Sequence, residues 1–335
     1  MNTYTILIGD DEVHTNWLTE LEPYIEKALH DHLNTVTDWD PVTSYVPWGE
    51  GMDFQEVPWD PAHSNLSAPA QAALALSLAT DAQTNRWTLS LTRGFEDHAA
   101  WAAWLGRWKA EGQRHAFALR SFLAATRGLD PRQMESDRMA AMQARNGVGD
   151  TGLLESLVFL TVQELAAQVF HQNAGKAAQP DDQIAWLLLQ RISQDKHHHH
   201  LVFRGLLTAA LDMAPSQAVE AICNAANCSE VMHFAMPGAD HLPNFQERAL
   251  VIARAGIYNH SVHYESVISP LLAHWKIFSR EGLTPRAEHK REDLAAQLES
   301  LRLHARQEPE TLAQIAAHGT TPTPTGSDRA EAAPC

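Results

Sequence analysis

Cysteine is scarce in this sequence of 335 residues, which contains only Cys223, Cys228 and Cys335. No two of them have the Cys-x-x-Cys spacing, so we expect no disulfide framework and a reducing, cytoplasmic location. Long apolar runs are missing as well. No stretch of about 18 uncharged apolar residues occurs, so the sequence predicts no membrane span. The first residues lack the basic and apolar regions of a signal peptide, so no signal peptide is predicted.

Basic residues are outnumbered, because 25 Lys and Arg stand against 41 Asp and Glu, which gives a formal net charge of −16. This balance argues against a general nucleic-acid-binding protein, which needs a basic surface. Runs of Val, Ile and Thr at a period of two are also rare, so no extensive sheet is predicted. The composition, 44% hydrophobic and 20% charged, is typical of a globular protein.

Apolar residues recur at spacings of three and four over most of the chain, which predicts an all-α fold, a bundle of long packed helices. We expect one domain over residues 1–305, with a leader at 1–15 and an irregular segment rich in Trp and Pro at 37–69. Pro, Thr, Ala and charge dominate 306–335, which predicts a disordered tail. The predicted helices span residues 70–93, 95–127, 131–145, 150–178, 181–213, 215–230, 243–278 and 284–306.

Polar residues interrupt the apolar stripes of four of these helices at regular intervals. Asp81 precedes His115 by 34 residues, and Glu164 precedes His199 by 35 residues. In a bundle, this spacing brings two carboxylates and two histidines to one depth, where buried charges need a partner. A metal ion is a suitable partner, so the four are candidate metal ligands. The alternative for any one of them alone is an ordinary hydrogen-bonded core residue.

Several segments, in this order, resemble the soluble acyl-[acyl-carrier-protein] desaturase family, in particular its actinobacterial branch. The likeness covers roughly residues 16–305. Two helices resemble the metal-motif helices of that family, with the sequences WLGRWKAEGQRHAFALRSFLAATRGLDP and QRISQDKHHHHLVF. The third core helix of the family is matched by LLESLVFLTVQELAAQVFHQNAGK, which carries Glu164 in a ligand position and a His-x-Asn motif at His171 and Asn173.

This resemblance implies a ferritin-like bundle with long antiparallel core helices, usually as a homodimer. Members of the family hold two irons. They use O₂ and two electrons from ferredoxin to insert a double bond into an acyl chain, which arrives as a thioester on acyl carrier protein. Their six ligands are a carboxylate, a Glu-x-x-His pair, a Glu and a second Glu-x-x-His pair on successive core helices. Four of these positions are matched here by Asp81, His115, Glu164 and His199.

The other two positions are altered, because Gly112 and Lys196 replace the glutamates that bridge the irons in the family. Two ferrous ions carry four positive charges, and only Asp81 and Glu164 remain to balance them. A lysine ammonium about 4 Å from a unit positive charge repels it by about 4 kcal/mol at an effective dielectric constant of about 20. A standard dinuclear iron centre is therefore disfavoured. Either the four matching residues bind one iron, since two histidines with carboxylate oxygen are a known mononuclear set, or the bundle is metal-free and Lys196 pairs with Glu164 or Asp81.

Acidic and histidine neighbours of these positions have a different predicted role. Glu111 and Asp195 lie one residue before the altered positions, about 100° around their helices. We expect them to accept hydrogen bonds from the ligand histidines, as in the family, rather than to bind metal.

The run His197–His200 has the composition of a metal tract. Successive helical side chains point about 100° apart, however, so the four cannot chelate one ion and only His199 is expected to face the core.

The predicted function is an acyl-ACP desaturase-like oxidoreductase acting on a fatty-acyl or polyketide-like thioester. Trp108, Phe159 and Leu160 are candidates for the wall of an acyl channel, although core packing explains them equally well. Two alternatives stay open: a non-standard enzyme with a mononuclear or metal-free site, and a catalytically inactive paralogue that binds acyl chains or carrier protein. The basic side chains considered for carrier docking are Arg114, Arg120, Arg127 and Arg132.

Overall fold

Helices dominate the computed structural model, which describes residues 6–8, 11–13, 16–143, 152–225 and 231–318. The predicted all-α class is confirmed. The described residues form fourteen α-helices: α1 (Trp17–Thr35), α2 (Pro41–Ser44), α3 (Ala68–Ala82), α4 (Thr84–Trp87), α5 (Ala99–Ala125), α6 (Pro131–Gln143), α7 (Leu153–Ala178), α8 (Gln183–Met213), α9 (Pro215–Ala225), α10 (Val231–Ala235), α11 (Phe245–Arg254), α12 (His260–His263), α13 (Ser269–His274) and α14 (Pro285–His318).

Shorter elements join these helices. A π-helical turn at Tyr264–Ile268 follows α12, and 3₁₀ turns span Trp48–Glu50, Pro61–His63, Phe95–Asp97, Ala239–His241 and Ile277–Ser279. In the segment expected to be a leader, two short strands, β1 (Ile6–Ile8) and β2 (Asp11–Val13), pair antiparallel with Ile6 opposite Val13.

The hydrophobic core lies between five long helices: α1, α3, α5, α7 and α8. The most extensive contact joins α7 to α8, and because residues 179–182 form the only link between them, the two run antiparallel. On α5 the tryptophans Trp101, Trp104 and Trp108, spaced by three and four, are all buried. Side chains on these inner faces have no access to water, so every charge placed there needs a partner within the bundle.

Within the part of the chain that the structure describes, one helix, α7, is long and apolar enough by length and composition to cross a membrane. Its most apolar window is 72% buried inside the bundle. A core helix of a helical bundle has the same composition, because it is covered on all sides by other helices.

Two of the predicted helices are shorter or interrupted in the structure. The helix predicted at 70–93 ends at Ala82, because the Thr84 hydroxyl donates to the Asp81 carbonyl at 3.0 Å and so competes with the helical hydrogen bonds. The helix predicted at 243–278 is interrupted after α11 by Gly256, whose φ of +67° is left-handed.

The tail predicted to begin at 306 is also corrected, since α14 continues to His318. Glu308 anchors this extension by accepting from the His260 backbone N–H at 2.9 Å. Residues 319–335 lie outside the described residues.

The segment 37–69 contains α2 and two of the 3₁₀ turns, and α2 packs against α5. Two tryptophans attach the segment to the bundle. The Trp59 indole N–H donates to the Arg127 carbonyl at 3.0 Å, and the Trp39 indole N–H donates to Asp195 at 2.8 Å. The second contact places an aromatic ring from this irregular segment directly over the polar centre of the bundle.

Candidate metal centre

Four of the residues predicted as metal ligands converge inside the bundle as two pairs. Asp81 on α3 and His115 on α5 form one pair, with Oδ2 and Nδ1 3.8 Å apart. Glu164 on α7 and His199 on α8 form the other, with Oε2 and Nδ1 3.3 Å apart. All four side chains are at most 1% exposed. The structure therefore brings them to one level of the core, and their role as metal ligands stays a prediction.

Lys196 lies between the two pairs. Its ammonium donates a hydrogen bond to Asp81 Oδ1 at 3.0 Å and lies 4.0 Å from Glu164 Oε2. Burial lowers the pKa of this lysine, but the charges of Asp81 and Glu164 outweigh that effect and raise it. Lys196 is therefore a charged group that offsets the charge of Asp81 and attracts Glu164 across 4.0 Å.

Gly112, the second altered position, leaves no open space. A Cβ atom at this position would lie 3.2 Å from the hydroxyl of Thr84 and 3.5 Å from its Cγ2. Thr84 thus fills the volume that a longer side chain on α5 would enter. The sequence shows the loss of a carboxylate at residue 112. The side chain that fills the vacated volume, that of Thr84, comes from another helix, α4.

The two outer carboxylates, Glu111 and Asp195, each hydrogen-bond one histidine of these pairs across the two helices α5 and α8. Asp195 on α8 accepts from Nε2 of His115 on α5 at 2.9 Å, and Glu111 on α5 lies 2.6 Å from Nε2 of His199 on α8. This is the hydrogen-bonding role that we expected for Glu111 and Asp195. Both carboxyls have a lowered pKa, because hydrogen bonds from these histidines outweigh the cost of burial.

His199 is held from both sides. Its Nε2 faces Glu111, and its Nδ1 faces Glu164. Although burial lowers the pKa of an imidazole, the charge of Glu164 and the hydrogen bond to Glu111 raise the pKa of His199 to about 9. In the absence of a metal ion, His199 is therefore an imidazolium that donates from both nitrogens.

Glu164 is held in a similar way. Burial alone raises its pKa, but the Lys196 ammonium and His199 hold it at about 2. The Trp108 indole N–H also donates to Glu164 Oε1 at 2.8 Å. Glu164 is therefore ionised and satisfied without a metal ion.

Several cationic and aromatic residues around this centre were not identified from the sequence. Arg114 and Arg191 bond Asp195 at 3.2 and 3.0 Å. Arg107 bonds Glu111 and also Asp38. The Trp39 ring stacks on His115 at 6.2 Å between centroids. Arg107–Glu111 and Arg191–Asp195 are pairs four residues apart on one helix, a spacing visible in the sequence. The contacts of Arg107 with Asp38, of Arg114 with Asp195 and of Trp39 with His115 join residues far apart in the chain, and no spacing pattern predicts them.

His32 on α1 is the other residue that the sequence analysis missed. It is 4% exposed, and its Nε2 lies 3.3 Å from Glu111 Oε1. A signal was present, because His32 continues the buried stripe of α1 formed by Trp17, Leu21 and Ile25. With His32 included, one ligand atom from each of His32, Glu111 and His199 lies within 4.8 Å of the others.

The four histidines of the 197–200 run have different surroundings. His197 is exposed and contacts Gln168, whereas His200 is buried and donates from Nδ1 to the Thr161 carbonyl at 3.0 Å. His198 is half-buried, and His199 faces the centre. They do not form a joint chelating site, as expected from helical geometry.

A cavity of about 300 Å³ lies between α3, α5 and α6. Two of its residues, Ala82 and Ala116, directly follow Asp81 and His115 in the chain. Gln113, Arg120, Asp137 and Arg138 contribute polar groups, and the apolar lining consists of Ala75, Leu78, Ala79, Ala82, Ala116, Phe117, Leu129 and Met134.

The residues predicted as channel walls do not line this cavity. Trp108 and Leu160 are fully buried in the core, and Phe159 packs on Phe234 at 5.4 Å between ring centroids. Their assignment to an acyl channel stays a prediction.

Of the arginines considered for docking, Arg127 is buried, and its guanidinium donates to the Val57 carbonyl at 2.5 Å. The side chain of Arg114 is 15% exposed and is bonded to Asp38 and Asp195. Arg120, with a side chain 45% exposed, pairs with the half-exposed Glu135 at 3.3 Å, and Arg132 is exposed. These two arginines are the ones accessible to a partner.

A pair of irons does not fit this donor set. Two inward carboxylates face two histidines, and the space between the pairs contains a charged ammonium instead of a bridging carboxylate. The position of the other bridging carboxylate is a glycine covered by Thr84. Because a cation in this space repels further positive charge, the residues of this chain disfavour a dinuclear cluster.

Comparison with known proteins gives a consistent result. A family model described as fatty acid desaturase matches residues 14–320. A protein of Mycobacterium tuberculosis named as an acyl-[acyl-carrier-protein] desaturase, DesA1, is 34% identical over 297 residues, and the alignment covers 85% of both chains. DesA2 of the same organism is 30% identical over 267 residues, covering 79% of this chain and 94% of the relative.

The solved structures include a similar fold. The X-ray structure of DesA2 from M. tuberculosis matches with a TM-score of 0.64 at 28% identity, covering 80% of this chain and 97% of that one. This likeness confirms the ferritin-like helical bundle.

Proposed function

The chain belongs to the acyl-[acyl-carrier-protein] desaturase family, a family of oxidoreductases, and we propose that it oxidises an acyl chain delivered as a thioester on acyl carrier protein. O₂ and a ferredoxin-type electron donor complete the proposed reaction, and the acyl group is fatty or polyketide-like. The observation that supports this proposal is the convergence of four buried polar side chains, each on a different core helix: Asp81, His115, Glu164 and His199.

The redox centre in this proposal differs from that of the family. Two irons are disfavoured by Lys196 and Gly112, and oxidation by O₂ needs a redox-active group. We therefore propose that one metal ion, rather than two, serves the reaction. The protein itself contributes a dry, apolar surrounding, in which the charges of the centre are strong and the acyl chain is shielded from water.

The cavity between α3, α5 and α6 is the proposed site of the acyl chain. Its lining is mostly Ala, Leu, Phe and Met, which suits an alkyl chain. Arg120 and Arg138 contribute cationic groups to it, and both side chains are more than a third exposed. An acidic carrier protein docked at these arginines would direct its acyl group toward the helices that carry Asp81 and His115.

An activity assay tests this function. The purified protein is mixed with a series of saturated acyl carrier proteins, chemically reduced ferredoxin, Fe²⁺ and O₂, and the acyl products are measured by mass spectrometry. We expect the loss of two hydrogen atoms from a preferred chain length. The absence of oxidised product from every acyl carrier protein tested would contradict the proposal.

Carrier docking is tested separately by charge reversal. Arg120→Glu is expected to weaken binding of the acyl carrier protein by about tenfold or more, because it places a negative charge against an acidic partner. Arg306→Glu, an exposed change on α14 far from the cavity in the chain, is the matched control and should leave the affinity unchanged. Equal effects of the two variants would exclude docking at Arg120.

A second candidate function is a non-catalytic paralogue that binds acyl chains or carrier protein. The observation in its favour is Lys196, which offsets the charge of Asp81 and attracts Glu164 without any metal ion. This candidate predicts normal binding of the acyl carrier protein, no metal in the purified protein and no oxidised product. The binding and product measurements above separate the two candidates.

We also propose that the protein is a cytoplasmic homodimer. The dimer is suggested by membership of the family, and the reducing location by the low cysteine content and by the free, buried Cys223. Light scattering during gel filtration measures the assembly, and a monomer at micromolar concentration would contradict this part of the proposal.

A further inference from the structure

We propose that the protein binds one divalent transition-metal ion between His32, Glu111 and His199, on the outer side of the position where the family holds its irons. The use of this ion as the redox centre rests on the proposed function, whereas its binding does not. The site takes one ligand from each of three helices, α1, α5 and α8, which pack against one another in the bundle.

The first argument is the geometry of the donor atoms. Glu111 lies between the two imidazoles, with His32 Nε2 at 3.3 Å from Oε1 and His199 Nε2 at 2.6 Å from Oε2. Ligand atoms of the three residues lie within 4.8 Å of one another, a separation that a single ion with metal–ligand bonds of about 2 Å can span. Two histidines and one carboxylate form the set used by mononuclear non-haem iron proteins, which leaves positions open for other ligands.

The second argument concerns Nδ1 of His199, whose contact supports metal binding by the other ring nitrogen, Nε2. Its Nδ1 lies 3.3 Å from Glu164, and Glu164 is itself fixed by Trp108 and Lys196. A metal-bound histidine usually donates its other N–H to a carboxylate, which fixes the ring and makes it a better ligand. Here Glu164 provides that carboxylate, so Nε2 is the nitrogen free to bind the ion.

Lys196 has a complementary part in this arrangement. Its ammonium lies between Asp81 and Glu164, so it occupies the inner space and repels an ion from it. The same placement leaves Glu164 as a hydrogen-bond acceptor for His199. The substitution that disfavours two irons therefore favours a single ion on the opposite side of His199.

The charge around the site also suits a divalent ion. The cluster contains four permanent cations, Arg107, Arg114, Arg191 and Lys196, against five carboxylates, Asp38, Asp81, Glu111, Glu164 and Asp195. The permanent charges of the cluster therefore sum to −1, a sign that favours a cation over an anion. Arg107 bonds both Glu111 and Asp38, so its bond to Asp38 can hold the guanidinium while Glu111 binds the ion.

The environment of the site is dry and shaped by aromatic rings. His32, Glu111 and His199 are 4%, 2% and 0% exposed. The Trp104 ring meets His32 edge-on at 5.2 Å and His199 at 6.0 Å between centroids. A buried ion held in this way has fixed ligands and restricted access to water, which is the setting that tunes metal reactivity.

The test is a metal titration of the full-length protein. Protein freed of metal by dialysis is titrated anaerobically with Co²⁺ alone, and the bound metal is measured by mass spectrometry and by the visible absorption of protein-bound Co²⁺. We expect about one ion per chain. His32→Gln, which keeps a polar group that can donate to Glu111, should lower the affinity by at least about tenfold, with helicity unchanged by circular dichroism.

Two control variants locate the ion. His30→Gln changes an exposed histidine of the same helix, bonded only to Asn34, and should leave Co²⁺ binding unchanged. His115→Gln removes a nitrogen of the inner pair and should lower the affinity less than His32→Gln does, because the proposed site does not use His115.

Three results would overturn the inference: no bound Co²⁺, a stoichiometry of two, or a larger effect of His115→Gln than of His32→Gln. Because the titration contains no substrate, its failure is distinguishable from a failure to bind or oxidise acyl carrier protein.

Discussion

The Lys196 ammonium donates a hydrogen bond to Asp81 across 3.0 Å in the centre of the bundle, where both side chains are almost fully buried. An ion pair at this depth is surrounded by helices on every side, and breaking it leaves a charge without a partner. The pair joins α3, which carries Asp81, to α8, which carries Lys196. Its energetic role is therefore open to direct measurement.

Lys196→Met is expected to lower the free energy of unfolding by about 3–5 kcal/mol, because Asp81 and Glu164 lose their common cation. Urea unfolding followed by circular dichroism measures the change. Lys176→Met, an exposed change on α7, is the matched control and should change stability by less than about 0.5 kcal/mol. Similar values for the two variants would show that Lys196 does not balance the buried carboxylates.

Restoring the altered positions is expected to raise iron binding. Gly112→Glu and Lys196→Glu together return two carboxylates to the inner space and remove its ammonium, so that two ferrous ions are better balanced. Thr84→Ala is added because the Thr84 hydroxyl lies 3.2 Å from the position of a Cβ at residue 112. Iron content per chain after anaerobic loading should rise to about two.

The control for this experiment is Thr84→Ala alone, which should leave the iron content at its original value. An unchanged content in the triple variant, with a folded protein, would contradict the assignment of residues 112 and 196 to the ligand positions of the family.

Acid should weaken the fold through Glu164. Its folded pKa of about 2 lies below the ordinary value of 4.5, so the unfolded chain takes up the proton first as the pH falls. The stabilising contribution is complete above pH 4.5 and is lost as the pH approaches 2. At about 1.4 kcal/mol per pH unit, the loss is at most about 3 kcal/mol.

This effect is measured as the difference in stability between about pH 5 and about pH 3, in the protein and in Glu164→Gln, with metal absent from both. The glutamine variant cannot titrate at this position, so its stability should fall less steeply over the same range. Parallel curves would show that Glu164 does not contribute to acid sensitivity.

Trp108→Phe is expected to cost about 1–3 kcal/mol beyond the loss of ring area, because Glu164 Oε1 loses its indole donor. Trp104→Phe is a close control, since Trp104 is buried one turn earlier on the same helix and its indole nitrogen has no hydrogen-bond partner among the described residues. Thermal unfolding of both variants gives the comparison. An equal loss would assign the effect of Trp108 to packing alone.

The sequence contained enough information to locate the centre. The repeated spacing of Asp81, His115, Glu164 and His199 depends on helix geometry, which is local, and helices of similar length place such residues at similar depth. The resemblance to the family identified Lys196 and Gly112 as altered positions, because its pattern has glutamates there. From the sequence alone, these features predicted that the centre binds two irons poorly.

The side-chain contacts around the centre were harder to predict from the sequence. The sequence left open whether Lys196 pairs with Asp81 or Glu164, and the choice depends on side-chain conformations within a shared space. Thr84 covers Gly112 only because α3 ends earlier than its apolar pattern indicates. His32 is almost 80 positions before Glu111 in the chain, and only the packing of α1 against α5 and α8 brings them together.

A lysine at the centre has a consequence for the life of the protein in the cell. The positive charge beside Asp81 and Glu164 is part of the polypeptide and is present as soon as translation ends. It cannot be removed by a chelator or exchanged for a competing metal. The bundle therefore does not depend on cellular iron to offset the charge of Asp81, and we expect the folded protein to accumulate in iron-starved as well as in iron-rich cells.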